Sequence, residues 1–583
     1  MTSSPIIPES LLVIEVGEIN TRALLFDVVD ERYRFIAMGT APTTLGQPFF
    51  NALEGARLAM DNLREITGRV LINNNEQLIM PAAPDGSGVD QMVVVTSAGE
   101  PLKILVVGLL EDVSVESAQK LAATTYSQIV ATFSLNDRRK PEARLDAILR
   151  LRPDVVLIAG GTEGGSQQSV LKLIEPVRLA YNLLQAGQRP QILYAGNQAL
   201  VERLQTIFPD ANALLAAPNI RPTLDVEQLD AAQFYLARML REVRMQKSAG
   251  MAALDTWGGG SLLPASTTFG RLIRFWSLQS KQTGAFGVDM GASAVTMAAA
   301  YQGDLTVSVL PEHGLLAAPQ TIVNRNALET IQFWTYADIP LTRVREYLYN
   351  RPLFPASVPM DAEELALEQA IVRYALQQSL QQILPRFVHT FPNGIAGLLA
   401  SAQPILAAGS VIVNAPTLGQ SLLMLLDGLQ PAGVNYLWLD QNHLAVALGA
   451  AASVNPTLTV QESASGAFLN LGMVIAPVSN ARPGTPILQV KMTDKSGNET
   501  KLDVKQGNLE TLPLPVGSSA RLTLRPLHRA DIGMGPGQGG RIEDVVGGVF
   551  GVMIDARGRP LQLPAETARR AELYKKWLWH LGK

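Results

Sequence analysis

Two short stretches of the chain carry residues that could hold a phosphorylated ligand and its metal ion. One reads LLVIEVGEINTRALLFDV, close to the N-terminus, and the other reads GAFGVDMGASAVTM, near the middle of the chain. In both, an apolar strand ends in an acid, an apolar residue and a glycine, and a second apolar strand returns after a tight turn. Glu15 therefore matches Asp289, and Gly17 matches Gly291.

The chemistry that this pattern allows is the binding of phosphate with a divalent cation. A glycine in the turn lets backbone N–H groups approach a phosphate with no Cβ in the way. A carboxylate at the strand end can hold hydrated Mg²⁺, which usually takes one or two carboxylates together with phosphate oxygens. Two ordinary hairpins whose acids meet an arginine or water are the alternative. Because related hairpins stand far apart in the chain, we expect a duplicated α/β architecture that closes around a cleft.

The composition excludes several classes of protein. With 583 residues, 47% hydrophobic and 17% charged, the chain has enough apolar residues for several folded domains. A net charge of −4 and the lack of a broad basic block argue against nucleic-acid binding. The absence of cysteine excludes Fe–S clusters and zinc–thiolate sites, and five scattered histidines give no zinc-binding spacing. The first residues lack a secretory signal and no apolar run is long enough for a membrane span, so we expect a cytoplasmic protein.

The elements between and after the hairpins follow two patterns. The segments MVVVT, KILVVGL, QIVATF, DVVLIAGG and QILYAG are near-continuous apolar strands that alternate with helical stretches. This pattern predicts a Rossmann-like unit with a parallel sheet covered on both faces. From about residue 461 the chain becomes rich in strands, and AETARRAELYKKWLWHL at its end predicts a packed helix.

A glycine-rich loop in the Rossmann-like unit is a further candidate ligand loop. The stretch IAGGTEGG follows a buried strand and precedes a helix, and such loops are the usual ligand positions of open α/β sheets. Glu163 argues against a simple phosphate cradle, and a loop built only for tight backbone turns is the alternative. The candidate residues are Gly160, Gly161, Thr162, Gly164 and Gly165.

Several stretches together give the chain a resemblance to a known family. They are VGEINTRALLFDV, GTAPTT, VVVTSAGEPLKILVVGL, RPDVVLIAGGTEGG, LYAGN, GVDMGASAVTM and PILAAGSVIV. The hairpins resemble the phosphate hairpins of the actin-like ATPase superfamily, which includes heat-shock chaperones and sugar kinases. Over roughly residues 10–455 the order of these stretches is similar to the glutamate mutase L (MutL) family, accessory proteins encoded beside adenosylcobalamin-dependent mutases.

The resemblance implies a two-lobed, actin-like (ribonuclease H-like) α/β fold with a Rossmann-like insertion and an added C-terminal β-rich domain. It implies binding of ATP or ADP with Mg²⁺, and it assigns residues to that role. The metal residues would be Glu15 and Asp289, and the nucleotide-binding residues would be Gly17, Thr21, Gly291, Ser293, Gly409 and Ser410. The Asp-x-His-x-x-Gly signature of direct cobalamin binding is absent, since no histidine precedes His313.

The first hairpin departs from the family pattern of Asp-x-Gly-Ser-Thr-x-Thr. Glu15 replaces the aspartate, while Glu18 and Ile19 replace the hydroxyl residues. A carboxylate at Glu18 would point at the backbone amides where phosphate oxygens belong, and like charges repel there.

The other two nucleotide loops are also eroded. In the second hairpin the pattern Asp-x-Gly-Gly-x-Thr-Thr-Asp loses both threonines and its last acid, and the Gly-x-Gly-Gly loop keeps only one of its glycines. The residues found there are Ala294, Val295 and Thr296 in the hairpin, and Ala407, Ala408, Gly409 and Ser410 in the loop.

This joint erosion favours a divergent MutL-type accessory or scaffold protein that binds a protein partner, with weak or lost ATP hydrolysis. An active ATP-dependent reactivating factor for an adenosylcobalamin-dependent mutase is the alternative, and such a mutase is the candidate partner. A small-molecule kinase of the same superfamily is third, because no acid stands out as its catalytic base.

The predicted domain plan has six segments, and it leaves the oligomeric state open. They are a first actin-like subdomain (1–90), the Rossmann-like unit (91–210), a helical connector (211–283), a second actin-like subdomain (284–460), a β-rich domain (461–565) and a C-terminal helix (566–583).

Overall fold

The computed structural model describes residues 8–210, 213–323, 327–387, 399 and 401–582. The chain divides into two compact units. Unit 1 comprises the residues up to Asp27 together with Ile36–Thr267, and unit 2 comprises Val28–Phe35 together with the residues from Thr268 onward.

The elements up to residue 264 include ten strands and seven α-helices among the described residues. The strands are β1 (Leu11–Val16), β2 (Asn20–Val29), β3 (Arg32–Pro42), β4 (Gln91–Thr96), β5 (Leu102–Gly108), β6 (Ser127–Phe133), β7 (Val155–Ala159), β8 (Gln191–Tyr194), β9 (Leu214–Ala216) and β10 (Leu263–Pro264). The helices are α1 (Ala52–Thr67), α2 (Glu116–Ala122), α3 (Pro141–Leu151), α4 (Gln167–Leu183), α5 (Val201–Ile207), α6 (Asp230–Lys247) and α7 (Met251–Trp257).

The first sheet has the order β10-β4-β1-β2-β3. Strand β1 runs antiparallel to β2 and parallel to β4, and β4 runs parallel to β10. Helix α1 packs on this sheet with small side chains, since Ala52, Ala56 and Ala59 are buried together with Ile14. Its start is capped by Asn51, whose side-chain oxygen accepts the N–H of Leu53 at 3.1 Å.

The second sheet of unit 1 has the order β6-β5-β7-β8-β9, and every neighbouring pair is parallel. One core on this sheet includes residues of α2 and α6, and another includes residues of α3, α4 and α5. The predicted Rossmann-like unit is therefore confirmed. Its expected first strand, MVVVT, is instead β4 of the first sheet, because an apolar strand gives no sign in its own sequence of which neighbour it will pair with.

The remaining elements begin with a long helix and end with the terminal helix. The strands are β11 (Gly284–Met290), β12 (Val295–Tyr301), β13 (Asp304–Leu310), β14 (Ala402–Ala408), β15 (Gly433–Leu439), β16 (Leu469–Ala476), β17 (Pro486–Asp494), β18 (Glu499–Lys505), β19 (Leu509–Leu512), β20 (Ser519–Pro526), β21 (Gly540–Val546) and β22 (Val552–Asp555). The helices are α8 (Ala265–Gln279), α9 (Pro319–Val323), α10 (Leu328–Trp334), α11 (Leu341–Asn350), α12 (Ala362–Phe387), α13 (Ser410–Val413), α14 (Leu418–Gly428), α15 (Leu444–Ala451), α16 (Pro456–Ser463) and α17 (Thr567–His580).

The main sheet of unit 2 repeats the arrangement of the first sheet. Its order begins β13-β12-β11-β14-β15, with β11 antiparallel to β12 and parallel to β14, and β14 parallel to β15. This matches β3-β2-β1-β4-β10 strand for strand. The duplicated α/β architecture that the two hairpins predict is present in the fold.

The strand-rich C-terminal region continues unit 2. Strand β16 pairs antiparallel with β15, and β22 and β19 follow it at the edge of the same sheet. Strands β18-β17-β20-β21 form a separate four-stranded sheet. Part of segment 461–565 thus shares a sheet with segment 284–460, because β16, β22 and β19 extend that sheet beyond β15, while the four-stranded sheet is made by this segment alone.

The terminal helix α17 packs against other elements of unit 2. Its Tyr574 ring is stacked on Tyr336 with 4.4 Å between ring centroids, and Trp577 is buried beneath the guanidinium of Arg557. None of the helices in the described part of the chain has both the length and the apolar character that a membrane crossing requires.

Candidate nucleotide site

The two hairpins close with the same turn. The N–H of Gly17 donates to the carbonyl of Asn20 at 3.0 Å, and the N–H of Gly291 donates to the carbonyl of Ala294 at 3.0 Å. A Cβ on Gly17 would lie 2.8 Å from the Asn20 carbonyl oxygen, and one on Gly291 would lie 2.7 Å from that of Ala294. Both positions therefore require glycine, because a side chain would collide with the backbone carbonyl that closes the turn.

The acids before the two turns hold equivalent places in their sheets. Glu15 lies opposite Arg22 on the returning strand, and Asp289 lies opposite Thr296. The carboxylate of Glu15 forms an ion pair with Arg22, with 3.4 Å between Oε1 and Nη1, and both side chains are nearly buried. Glu15 thus already has a counter-ion, which is how an acid is tolerated inside this strand.

A metal role for Glu15 and Asp289 stays a prediction. Among the residues that the structure describes, no group of three or more histidine, aspartate or glutamate side chains is arranged to hold a metal ion. Magnesium commonly needs only one or two carboxylates when phosphate supplies further oxygens.

Glu18 bonds to the loop that follows β4. Its Oε2 accepts the backbone N–H of Gly99 at 3.0 Å. The Arg244 guanidinium of α6 lies against the same glycine, since a Cβ on Gly99 would be 2.8 Å from Nη1. Arg244 is only 3% exposed, and none of the described residues forms a hydrogen bond with its Nε.

The electrostatics of this contact favour an anion. Burial lowers the pKa of Arg244, and the nearby Tyr126 and Glu18 act in the opposite direction. A buried cation beside an N–H donor is a place where a negative group is stabilised. In this protein Glu18 of the same unit supplies that negative group.

Thr21 supports the first turn from within the core. Its side chain is buried, and its hydroxyl lies 2.9 Å from the Thr43 hydroxyl. The Thr43 hydroxyl in turn donates to the carbonyl of Gly17 at 2.7 Å, so that Thr21 is left as the donor to Thr43. The structure therefore places Thr21 in a chain of hydrogen bonds that positions the turn.

In unit 2 the predicted glycine loop lies beside the second hairpin. Gly409 follows β14 with φ of 104°, and a Cβ there would lie 2.3 Å from the carbonyl oxygen of Met290, the last residue of β11. Ser410 begins the short helix α13 directly after it. Gly291, Ser293, Gly409 and Ser410 thus meet at the carboxyl ends of two neighbouring parallel strands.

Asp440 is a residue of this edge that the sequence analysis missed. It follows β15, its backbone N–H donates to the Ala407 carbonyl at 2.9 Å, and its side chain is 2% exposed. The carboxylate accepts the N–H groups of Leu444 and Ala445 at 2.7 and 2.9 Å, at the start of α15. The sequence offers a signal for it, because an acid directly follows the apolar strand segment NYLWL.

The two edges differ in how well they fit a phosphate. In unit 2 the turn at Gly291 carries only small side chains, and the Asp440 carboxylate is occupied by the helix it caps. In unit 1 the Glu18 carboxylate accepts the Gly99 N–H, and its negative charge would repel a phosphate. The edge of the first sheet therefore does not fit a phosphate as long as this hydrogen bond is present.

The glycine-rich loop after β7 closes on itself. The Glu163 carboxylate accepts Nδ2 of Asn219 at 2.7 Å and the N–H of Gln198 at 3.3 Å, and Gly165 donates to the Thr162 carbonyl at 2.8 Å. Burial, with the charge of Glu163 as a second cause, raises the pKa of Tyr194. The loop lies where the strand order reverses, between β5 and β7, but its Glu163 carboxylate is already bonded to Asn219 and Gln198 of neighbouring loops. Its role in ligand binding stays a prediction.

Two sheets of equivalent strand order, each with a glycine turn after an acid on its first strand, define an actin-like α/β fold. The chain belongs to the MutL protein family, whose model matches residues 11–462. The family and the fold that the sequence predicts are therefore confirmed.

Individual proteins give weaker likenesses. The chain is 20% identical over 401 residues to Protein MutL of Clostridium tetanomorphum, which covers 63% of this chain and 83% of that protein. It is similar to nucleotide-free acetone carboxylase, at 10% identity and a TM-score of 0.32 over 86% of this chain and 82% of the other. The chain is also similar to nucleotide-free diol dehydratase-reactivating factor, at 10% identity and a TM-score of 0.30, over 76% of this chain and 99% of that protein.

Proposed function

We propose that this protein is an accessory or scaffold protein that binds a protein partner and has weak or lost ATP hydrolysis. The observation that carries the proposal is the position of Glu18, whose carboxylate takes the Gly99 amide beside the buried Arg244. A phosphate at the first hairpin would have to displace a charge of its own sign. Membership of the MutL family supports the accessory role.

Binding of a nucleotide to unit 2 is compatible with this role. Gly291, Ser293, Gly409 and Ser410 would contact the nucleotide, and Asp289 would supply a carboxylate oxygen to Mg²⁺. The ion, when bound, would neutralise part of the phosphate charge. Binding without efficient turnover would make the nucleotide a conformational or structural ligand.

The alternative is an active reactivating factor for an adenosylcobalamin-dependent mutase. It is favoured by the glycine contacts of unit 2, where the turn at Gly291 and the backbone approach of Gly409 to Met290 are retained. In that case displacement of Glu18 would be part of the working cycle.

Isothermal titration with Mg·ATP and Mg·ADP tests the proposal. The proteins to compare are the natural chain, Glu18→Ser and the control Glu100→Ser, which removes an exposed acid near Arg244 without touching the Gly99 amide. We expect Glu18→Ser to tighten nucleotide binding about tenfold or more, and Glu100→Ser to leave it nearly unchanged.

The rate of ATP hydrolysis decides between the two candidates. Micromolar binding by the natural chain with steady turnover would overturn the proposal and make the reactivating factor the better description. Weak binding with no turnover above a boiled control would support the scaffold role.

A further inference from the structure

An ordered loop of unit 2 presents a group of apolar side chains to solvent. It comprises residues 351–361, between the end of α11 and the start of α12, and is called the apolar loop below. Leu353, Phe354, Val358 and Met360 are 69%, 64%, 68% and 84% exposed. Single exposed apolar residues are normal on a protein surface, but four within eight residues indicate an interaction site.

A buried ion pair holds the base of this loop. Arg351 and Glu368 are 6% and 4% exposed, with Nε donating to Oε2 at 2.9 Å and Nη2 to Oε1 at 3.1 Å. Nη1 of Arg351 also donates to the carbonyls of Phe354 and Pro355, at 3.1 and 2.8 Å. The loop backbone is therefore tied directly to α12.

The rest of the loop is also restrained. Pro352, Pro355 and Pro359 fix three φ angles, and the N–H of Ser357 donates to the Phe354 carbonyl at 3.0 Å. At its far end Asp361 caps α12 by accepting the Glu364 N–H at 2.8 Å. A loop that is ordered before binding loses little conformational entropy when it docks, which favours affinity.

The segment of the chain that contains the loop is acidic. Residues 338–368 contain six acids and three arginines, so this segment carries −3 of the net charge of −4. The acids are Asp338, Glu346, Asp361, Glu363, Glu364 and Glu368, and the arginines are Arg343, Arg345 and Arg351. Because Arg351 and Glu368 neutralise each other, the exposed part has five acids against two arginines. A matching surface would be apolar at its centre and basic at its border.

We propose that the apolar loop is the docking element for a protein partner that presents an apolar groove bordered by lysine or arginine. Phe354 and Met360 would enter the groove, and the acids of α11 and α12 would face its border. This inference rests on the proposed function in that both require a protein partner, but it assigns the contact to one loop.

The test starts by placing the photo-cross-linking residue p-benzoylphenylalanine at position 360 of the full chain, in the cell that makes it. A second chain carries it at position 516, where Val516 is 71% exposed and stands away from the loop in sequence. The cross-linked protein is identified by mass spectrometry and purified. Its dissociation constant is then measured for the natural chain, Phe354→Ser/Met360→Ser and the control Val516→Ser, at low and high salt.

We expect the double substitution to weaken binding about tenfold or more, the control to leave it unchanged, and added salt to weaken it. An unchanged dissociation constant for Phe354→Ser/Met360→Ser would overturn the docking loop while leaving the proposed function in place. Recovery of no partner protein from either position would contradict both. Cross-links to a second copy of this chain alone, or loop-dependent sedimentation with anionic phospholipid vesicles, would replace the proposed occupant and overturn the inference.

Discussion

The carboxylate of Glu18 and the backbone N–H of Gly99 form a 3.0 Å hydrogen bond that joins the turn of the first hairpin to the loop after β4. Arg244 lies against the same glycine and is almost completely buried. The chain thus supplies its own anion at this edge of the first sheet. In unit 2 the position that corresponds to Glu18 is Ala292, so the two halves of the duplicated fold have diverged at this point.

Arg244 should be necessary for any anion binding gained when Glu18 is removed. In Glu18→Ser/Arg244→Met we expect the tighter nucleotide binding of Glu18→Ser to be lost, because the buried positive charge that stabilises the anion is gone. Methionine keeps much of the side-chain volume. Titration with inorganic phosphate and with Mg·ATP measures the effect, and equal affinity of the single and double variants would show that Arg244 takes no part.

Contacts of this site between residues close together in the sequence can be predicted from the sequence, and contacts between distant residues cannot. The turn glycines Gly17 and Gly291 are predictable, because any Cβ there would collide with the backbone carbonyl three residues later. The pairing of Glu15 with Arg22 also follows from the hairpin, since a turn at residues 17–20 sets these two residues opposite each other. The contact of Arg244 with Gly99 depends on how α6 packs, and α6 lies far along the chain from Gly99. The spacing of residues in the sequence therefore does not predict this contact.

The same reasoning applies to the fold. Alternating apolar strands and helices indicate parallel sheets, and the family resemblance indicates their actin-like order. Sheet membership is less local, because β4 and β16 look like any buried strand until their partners β1 and β15 are known.

Asp427 should be essential for the stability of unit 2. Its carboxylate is fully buried and accepts Nε of Arg373 at 2.9 Å, Nη1 of Arg557 at 2.8 Å and the Tyr336 hydroxyl at 2.9 Å. Asp427→Asn leaves the buried guanidinium of Arg373 without its charge partner and leaves Arg557 with Asp555 alone, which costs about 3–5 kcal/mol. Urea unfolding followed by tryptophan fluorescence measures this, since five of the six tryptophans lie in unit 2.

The matched control for Asp427 is Glu543→Gln. Glu543 pairs with Arg521, but both side chains are more than half exposed. Such surface pairs contribute about 0–1 kcal/mol. Equal destabilisation by the two substitutions would contradict the assignment of Asp427 as the centre of a buried charge network.

Asp555 should make the stability of unit 2 depend on acid pH. Burial alone would raise the pKa of its carboxyl group, but Arg557 and Arg559 outweigh burial and hold the pKa far below its usual range. A carboxyl with a depressed folded-state pKa stabilises the fold above its unfolded pKa, about 3.9, and this contribution is lost as pH falls toward the folded value. We therefore expect the free energy of unfolding to decrease from pH 5 to pH 3.

Asp555→Asn removes this titrating group and should flatten that decrease. The comparison uses the slope of unfolding free energy against pH for each protein, so that a general loss of stability in the variant does not decide the outcome. Identical slopes for the natural chain and Asp555→Asn would show that other carboxyl groups account for the acid sensitivity.

Gly409 should be intolerant of any side chain, for two separable reasons. Its φ of 104° is unfavourable for other residues, and a Cβ would lie 2.3 Å from the Met290 carbonyl oxygen at the end of β11. Gly466→Ala is the control, because Gly466 has φ of 86° but no atom within 4 Å of the added Cβ. Backbone strain costs about 1–3 kcal/mol at such positions, and the collision adds to it at residue 409, so Gly409→Ala should lower the melting temperature more than Gly466→Ala does. If this edge of unit 2 holds a nucleotide, Gly409→Ala should also abolish Mg·ATP binding, because it pushes β14 away from the Gly291 turn, whereas Gly466→Ala should leave binding intact. Equal effects of the two substitutions on melting temperature and on Mg·ATP binding would contradict the close approach of Gly409 to Met290.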